Sequence, residues 1–283
     1  MSDRNKGVLF IILSAFGFAM MSAFVKLSGD LPSMQKAFFR NVISLIIALI
    51  MIIHHKKSLF GGLKNQRLLL MRSAFGTLGV ILNFYAIDHL ILSDANMLNK
   101  LSPFFVIIFC AIFLKEKLKP VHIITIIIGF LGALLIIKPV FNLSIIPYIC
   151  GFLSALFAGA AYTCVRALSG KENHYTIVFY FSCFSVVVLL PFLITNYKPM
   201  SMTQFMYLIL AGIFATVGQF CITLAYKYAP AREISIFDYS NIIFSAIISM
   251  IMFNQLPDIL SFLGYIIIFS ASLYMFFYNK KVA

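Results

Sequence analysis

Residues 13–29 read LSAFGFAMMSAFVKLSG, and residues 153–170 read LSALFAGAAYTCVRALSG. Leu13-Ser14-Ala15 returns as Leu153-Ser154-Ala155, and Val25-Lys26 as Val165-Arg166. Ser28-Gly29 returns as Ser169-Gly170 after a one-residue insertion. The small residues Ala15, Ala19 and Ala23 correspond to Ala155, Gly159 and Thr163. A spacing of four puts such residues on one helical face, where a neighbouring backbone can approach closely. Further along, Thr77-Leu78-Gly79 matches Thr216-Val217-Gly218 at an offset of 139. The chain therefore divides into two copies of one unit, residues 1–143 and 144–283.

Each copy contains five apolar runs. The ten lie near 7–27, 34–53, 67–87, 93–114, 120–138, 146–168, 175–195, 203–226, 232–253 and 258–278. They are continuously apolar rather than alternating, so they predict helices and not barrel strands. Crossing a bilayer takes roughly 20 residues per helix. Ten crossings use most of the 283 residues, which leaves room for short connections and no soluble domain. A content of 62% hydrophobic and 11% charged residues, with mean hydropathy +1.00, suits a chain solvated by lipid. Arg4 and Lys6 ahead of the first run resemble a secretion signal. That run continues without a small-residue cleavage site, so a retained first helix is expected.

Five is odd, so the two copies must insert in opposite senses. The connections agree: Lys56–Arg67 is basic whereas its counterpart near Lys198 is nearly bare, and Lys115–Lys119 is lysine-rich whereas Asn254–Asp258 has no lysine. With the N-terminus inside, 14 of the 22 basic residues fall in cytoplasmic segments and only Lys36, Lys138 and Lys198 outside. This bias places both termini in the cytoplasm. The formal charge of +13 is thus spent on orientation, and no nucleic-acid partner is implied. Opposed repeats give two near-equivalent packings around a central site, the basis of alternating access.

Polar groups at mid-membrane mark that site. Asn96, Asn99, Lys100 and Pro103 form one face of the fourth run, and the repeat offset maps them onto Ser235, Asp238, Tyr239 and Ile242 in the ninth. Both faces are expected to line a cavity between the halves, although polar side chains also serve simply to bond packed helices together. Asp238 has three roles open to it: binding a cationic group, taking up a proton, or pairing with Lys100. Arg40, two turns into the second run, either clamps a carboxylate or phosphate or snorkels outward. Asn83 and Gln219 are secondary lining candidates. Pro103 is expected to kink its helix. Lys26, Arg72 and Arg166 fall within or at the ends of runs.

No other chemistry is signalled. The five cysteines are scattered through apolar segments, His54-His55 is too sparse to hold a metal, and neither a cofactor nor an ATP-binding loop is expected. No nucleophile–base pair or metal cluster points to an enzyme.

The run Phe38-Phe39-Arg40-Asn41, the stretch GTLGVILNFYAIDHLILSDANML at 76–98, Leu114-Lys115-Glu116 followed by Pro120, and ITLAYKYAPAREISIFDYSN at 222–241 resemble the drug/metabolite transporter superfamily, specifically its EamA type. The resemblance covers nearly the whole chain. It implies a ten-helix bundle with cytoplasmic termini, walled centrally by the fourth and ninth helices. It also implies secondary transport of a small organic solute. One departure stands out: Glu116 in the first half becomes Gln255 in the second, so the two ends need not close alike. The expectation is a monomeric or homodimeric permease of a bacterial cytoplasmic membrane, moving a zwitterionic or amino-acid-like metabolite, with protons coupling through Asp238. A channel and a membrane-embedded enzyme or lipid-handling protein are the alternatives.

Overall fold

The computed structural model describes residues 3–113, 115, 120–137, 145–168, 170–228 and 235–282, without the side chains of Arg4, Thr223, Tyr226, Lys227, Ser235, Ile236, Phe276, Asn279, Lys280, Lys281 and Val282. Glu116 lies outside them. Eleven helices occur among the described residues: α1 (Asp3–Leu27), α2 (Ser33–His54), α3 (Gln66–His89), α4 (Leu92–Asn99), α5 (Ser102–Phe113), α6 (Pro120–Ile137), α7 (Ile146–Leu168), α8 (His174–Thr195), α9 (Met202–Tyr228), α10 (Ser240–Phe253) and α11 (Ile259–Val282). Eight helical spans are long and apolar enough to cross a membrane, and two shorter apolar segments, Phe237–Phe253 and Ile259–Met275, complete ten crossings. Outward faces such as Ile123, Ile127, Leu131 and Leu134 on α6 are about half exposed, as lipid contact requires.

The fourth run departs from the single kinked helix expected. It breaks into α4 and α5 across Lys100 and Leu101, just ahead of Pro103. Proline supplies no N–H to the preceding turn, so the chain restarts there with Pro103 in the first turn of α5. The ninth run breaks at the equivalent place: Ser235–Tyr239 forms a tight 3-10 turn before α10 begins at Ser240.

The second half repeats the first in backbone detail. Gly29 (φ 67°) closes α1 and Gly170 (φ 76°) follows α7, both in the left-handed region that glycine enters freely. Lys115 (φ 55°) and Asn254 (φ 54°), 139 residues apart, take the same left-handed conformation after α5 and α10.

Packing pairs repeat as well: α1 lies on α9 as α7 lies on α3, and α2 on α9 as α8 on α3. α10 lies on α1 as α5 lies on α7, while α2 meets α8 and α6 meets α11 across the axis. Single bonds follow the same symmetry. Thr216 Oγ1 donates to Ser44 Oγ at 2.9 Å, and the equivalent Thr77 Oγ1 and Ser185 Oγ lie 2.5 Å apart. Every one of these contacts joins one repeat to the other, so the interface is the core of the molecule.

Candidate functional site

The two helix breaks face each other. Lys100, at the end of α4, places Nζ 2.6 Å from Asp238 Oδ2 in the opposing 3-10 turn. The break frees carbonyl groups, and one of them is used: Tyr239 Oη donates to the Lys100 carbonyl at 3.2 Å. Ser272 Oγ on α11 in turn donates to Tyr239 Oη at 2.5 Å. Both charged side chains are largely withdrawn from the surface, at 10% and 14% exposed. Asp238 Oδ1 is buried and has no hydrogen-bond donor among the described residues. An ion pair is the one of the three open roles that Asp238 fills in this conformation.

The other candidates divide by what they touch. Asn96 is spent on its neighbours: it accepts from Ser22 Oγ at 3.1 Å and donates to Ser245 Oγ at 2.9 Å, tying α4 to α1 and α10. Asn99 is half-buried and donates to Ser154 Oγ on α7 at 3.0 Å. Gln219 is half-buried on α9. Asn83, on α3, is buried, and its Oδ1 has no partner among the described residues. The side chain of Ser235 lies outside the described residues.

Arg40 is 2% exposed and does not snorkel; its Nη1 donates to Asn41 Oδ1 at 2.6 Å, while Nε has no partner among the described residues. It points to the same ring as Arg72, a residue that the sequence places within or at the end of a run and gives no role. The Arg72 guanidinium carbon sits 4.0 Å from the centroid of Phe181, and that of Arg40 sits 5.9 Å away. Arg72 is 4% exposed. Gly76, one turn along α3, makes the room, because a Cβ there would fall 2.4 Å from Arg72 Nη1.

Both ends of the bundle are laced shut. At the lysine-poor end, Lys26 Nζ donates to the Leu90 carbonyl (2.6 Å) and to Gln255 Oε1 (2.8 Å). Gln35 and Lys198 exchange bonds there, and Gln204 donates to the Ser28 carbonyl. At the lysine-rich end, Glu172 accepts from Gly62 N and Asn65 Nδ2, both at 2.7 Å, and Thr176 donates to the Ser58 carbonyl. A groove of about 530 Å³ opens elsewhere, toward the lysine-poor end beside Gln35, Tyr85, Cys150 and Asn196. None of the seam residues lines it, so its size does not make it the site.

A ten-helix inverted repeat with a charged seam at paired helix breaks defines a membrane transporter for small molecules. The chain belongs to the EamA-like transporter family, whose model matches it twice, over residues 5–138 and 145–277. The pseudopaline exporter CntI of Pseudomonas aeruginosa is 33% identical over 93% of both chains. The riboflavin transporter of Brucella anthropi is 30% identical over 87% of this chain and 88% of its own. An S-adenosylmethionine uptake transporter of Rickettsia bellii is 24% identical over 97% and 94%. One crystal structure shares the fold with a TM-score of 0.70 at 12% identity, covering 98% of this chain and 99% of that one. The protein is thus an integral permease of the cytoplasmic membrane that moves a small metabolite.

Proposed function

We propose that the chain is a secondary carrier working by alternating access, with the units 1–143 and 144–283 rocking about the seam and both termini in the cytoplasm. The observation that carries this reading is the Lys100–Asp238 pair at the two facing helix breaks. A broken helix at mid-membrane exposes backbone dipoles that a regular helix hides, and it bends at low cost. The pair holds the halves together only while Asp238 keeps its charge and Lys100 stays unclaimed. A proton on Asp238, or a solute group that bonds either partner, releases the seam and lets one end open.

The closed ends support a carrier over a channel. Apart from Lys26–Leu90, which lies within the first repeat, each is made of a few hydrogen bonds between repeats, which can be broken at one end while the other stays intact. Relatives named for metabolites support a small organic solute. Their names include both an exporter and an uptake transporter, so the shared fold does not itself fix direction.

The test is counterflow in proteoliposomes loaded with pooled metabolites, with internal pH recorded. Saturable exchange accompanied by proton movement is expected in the native protein. Asp238→Asn is expected to retain exchange while losing the proton signal. Linear, unsaturated flux would indicate a pore instead, and unaltered proton movement in Asp238→Asn would remove that carboxylate from the coupling.

A further inference from the structure

Two full positive charges, Arg40 and Arg72, lie against one aromatic ring in the interior of a membrane protein. Among the described residues neither has a carboxylate within ion-pair distance. Buried charges are normally paired, because an unpaired ion in a poorly polarisable interior is costly. The remaining acids of the seam are committed elsewhere: Asp238 to Lys100, and Asp94 to Tyr265 and Ser261. Cation–π contact with Phe181 offsets part of this cost but supplies no negative charge. Both guanidinium carbons lie within 5.9 Å of the same ring centroid, so the two like charges also repel each other. Each retains an unpartnered, buried Nε–H.

The second half places no cation at either equivalent position. Ser44 and Ser185 make equivalent bonds to Thr216 and Thr77, which fixes the register of α2 against α8. In that register the counterpart of Arg40 is Phe181, and the counterpart of Arg72 at the 139-residue offset is Ala211. The two-fold exchanges Arg40 with Phe181 and leaves Ala211 where Arg72 stands, so the symmetric arrangement carries one cation where this one carries two. The charges are an addition to the first half, and Gly76 is cut away to accommodate one of them.

We propose that Arg40 and Arg72 form a buried anion clamp across Phe181 that binds a carboxylate group of the transported solute. A guanidinium presents a planar fork of N–H donors that matches the two oxygens of a carboxylate, and two forks beside one ring hold an organic anion by charge and by shape. The inference rests on the carrier reading above and adds a substrate class to it, organic anions bearing at least one carboxylate.

The test titrates purified full-length protein in detergent with citrate, succinate, glutamate or choline at constant ionic strength, against chloride, while the melting temperature is read. At least one carboxylate is expected to stabilise saturably, and choline is not. Arg40→Lys and Arg72→Lys keep the charge and lose the fork, and each is expected to raise the half-saturating concentration at least tenfold. Gly76→Ala leaves both arginines in place but displaces the Arg72 guanidinium, and is expected to do the same. No carboxylate effect beyond chloride, or unchanged saturation in all three variants, overturns the clamp. Stabilisation by phosphatidylglycerol with the soluble carboxylates silent also overturns it, since the ligand is then a lipid headgroup. Counterflow of pooled metabolites separates the two readings: exchange without carboxylate binding sinks the clamp alone, and carboxylate binding without exchange sinks the carrier.

Discussion

Lys36 on α2 and Asp88 on α3 form a 2.5 Å ion pair in which the lysine side chain is fully buried. Ser33 Oγ also donates to the other Asp88 oxygen at 3.2 Å, so the start of α2 is fastened to the end of α3 at the lysine-poor end. Removing one partner of a buried pair leaves the other charge stranded, which typically costs about 3–5 kcal/mol. Asp88→Asn is therefore expected to lower the melting temperature sharply, and Lys36→Met combined with Asp88→Leu to recover most of it. Equal loss in the single and double variants would show that the pair is not what fastens the two helices.

The Lys100–Asp238 pair is the seam's counterpart of that lock, and it joins opposite repeats. Residues in direct contact couple by about 0.5–3 kcal/mol in a double-mutant cycle. Lys100→Ala and Asp238→Ala are each expected to destabilise the protein, and the double variant by less than the sum. Strict additivity in a thermal or denaturant cycle would place the two charges in separate environments. Tyr239→Phe removes the donor to the Lys100 carbonyl and leaves a buried acceptor unmet, a loss of about 1–3 kcal/mol.

Much of this architecture was legible in the sequence because membrane helices declare themselves by continuous apolarity, and because an odd-numbered repeat forces inversion. The convergence of Lys100 with Asp238 and Tyr239 followed from periodicity plus the repeat offset. The fate of Asn96 did not: its partners Ser22 and Ser245 lie on different helices, and nothing local distinguishes a spent amide from a free one. Arg72 was missed for a similar reason. Its ring partner Phe181 is more than a hundred residues away, and the one available signal was the mismatch with Ala211 under the offset. Pro103 marked the fourth-helix break to within a few residues, whereas the matching break at Tyr239 has no proline to announce it.

The two fifth helices of the repeats cross at Gly132 and Gly264, where a Cβ on Gly264 would lie 2.6 Å from the Gly132 carbonyl oxygen. Backbone cannot rotate away as a side chain can, so Gly264→Ala must push α11 off α6. Overpacking of this kind costs about 1–3 kcal/mol. Gly170→Ala meets no atom within 4 Å but must hold φ 76°, a penalty of about 1–2 kcal/mol from backbone conformation alone. Gly264→Leu should therefore be far worse than Gly264→Ala, while Gly170→Leu should be no worse than Gly170→Ala. A melting series over the four variants checks this; equal sensitivity to size at both positions would contradict the close crossing.

Orientation rests on charge and can be read chemically. The positive-inside bias puts Leu63, 91% exposed at the lysine-rich end, in the cytoplasm, and Tyr197, 50% exposed at the opposite end, outside. The five native cysteines are all buried or half-buried, so they contribute little background. In intact cells a membrane-impermeant maleimide is expected to label Tyr197→Cys and spare Leu63→Cys, with both labelled after permeabilisation. The reverse pattern would turn the whole bundle over, making the Lys26–Gln255 closure the cytoplasmic gate and the Glu172 closure the outer one. Leu63 lies in the first repeat and Tyr197 in the second, and the two repeats pack into one core, so the two labels must change together.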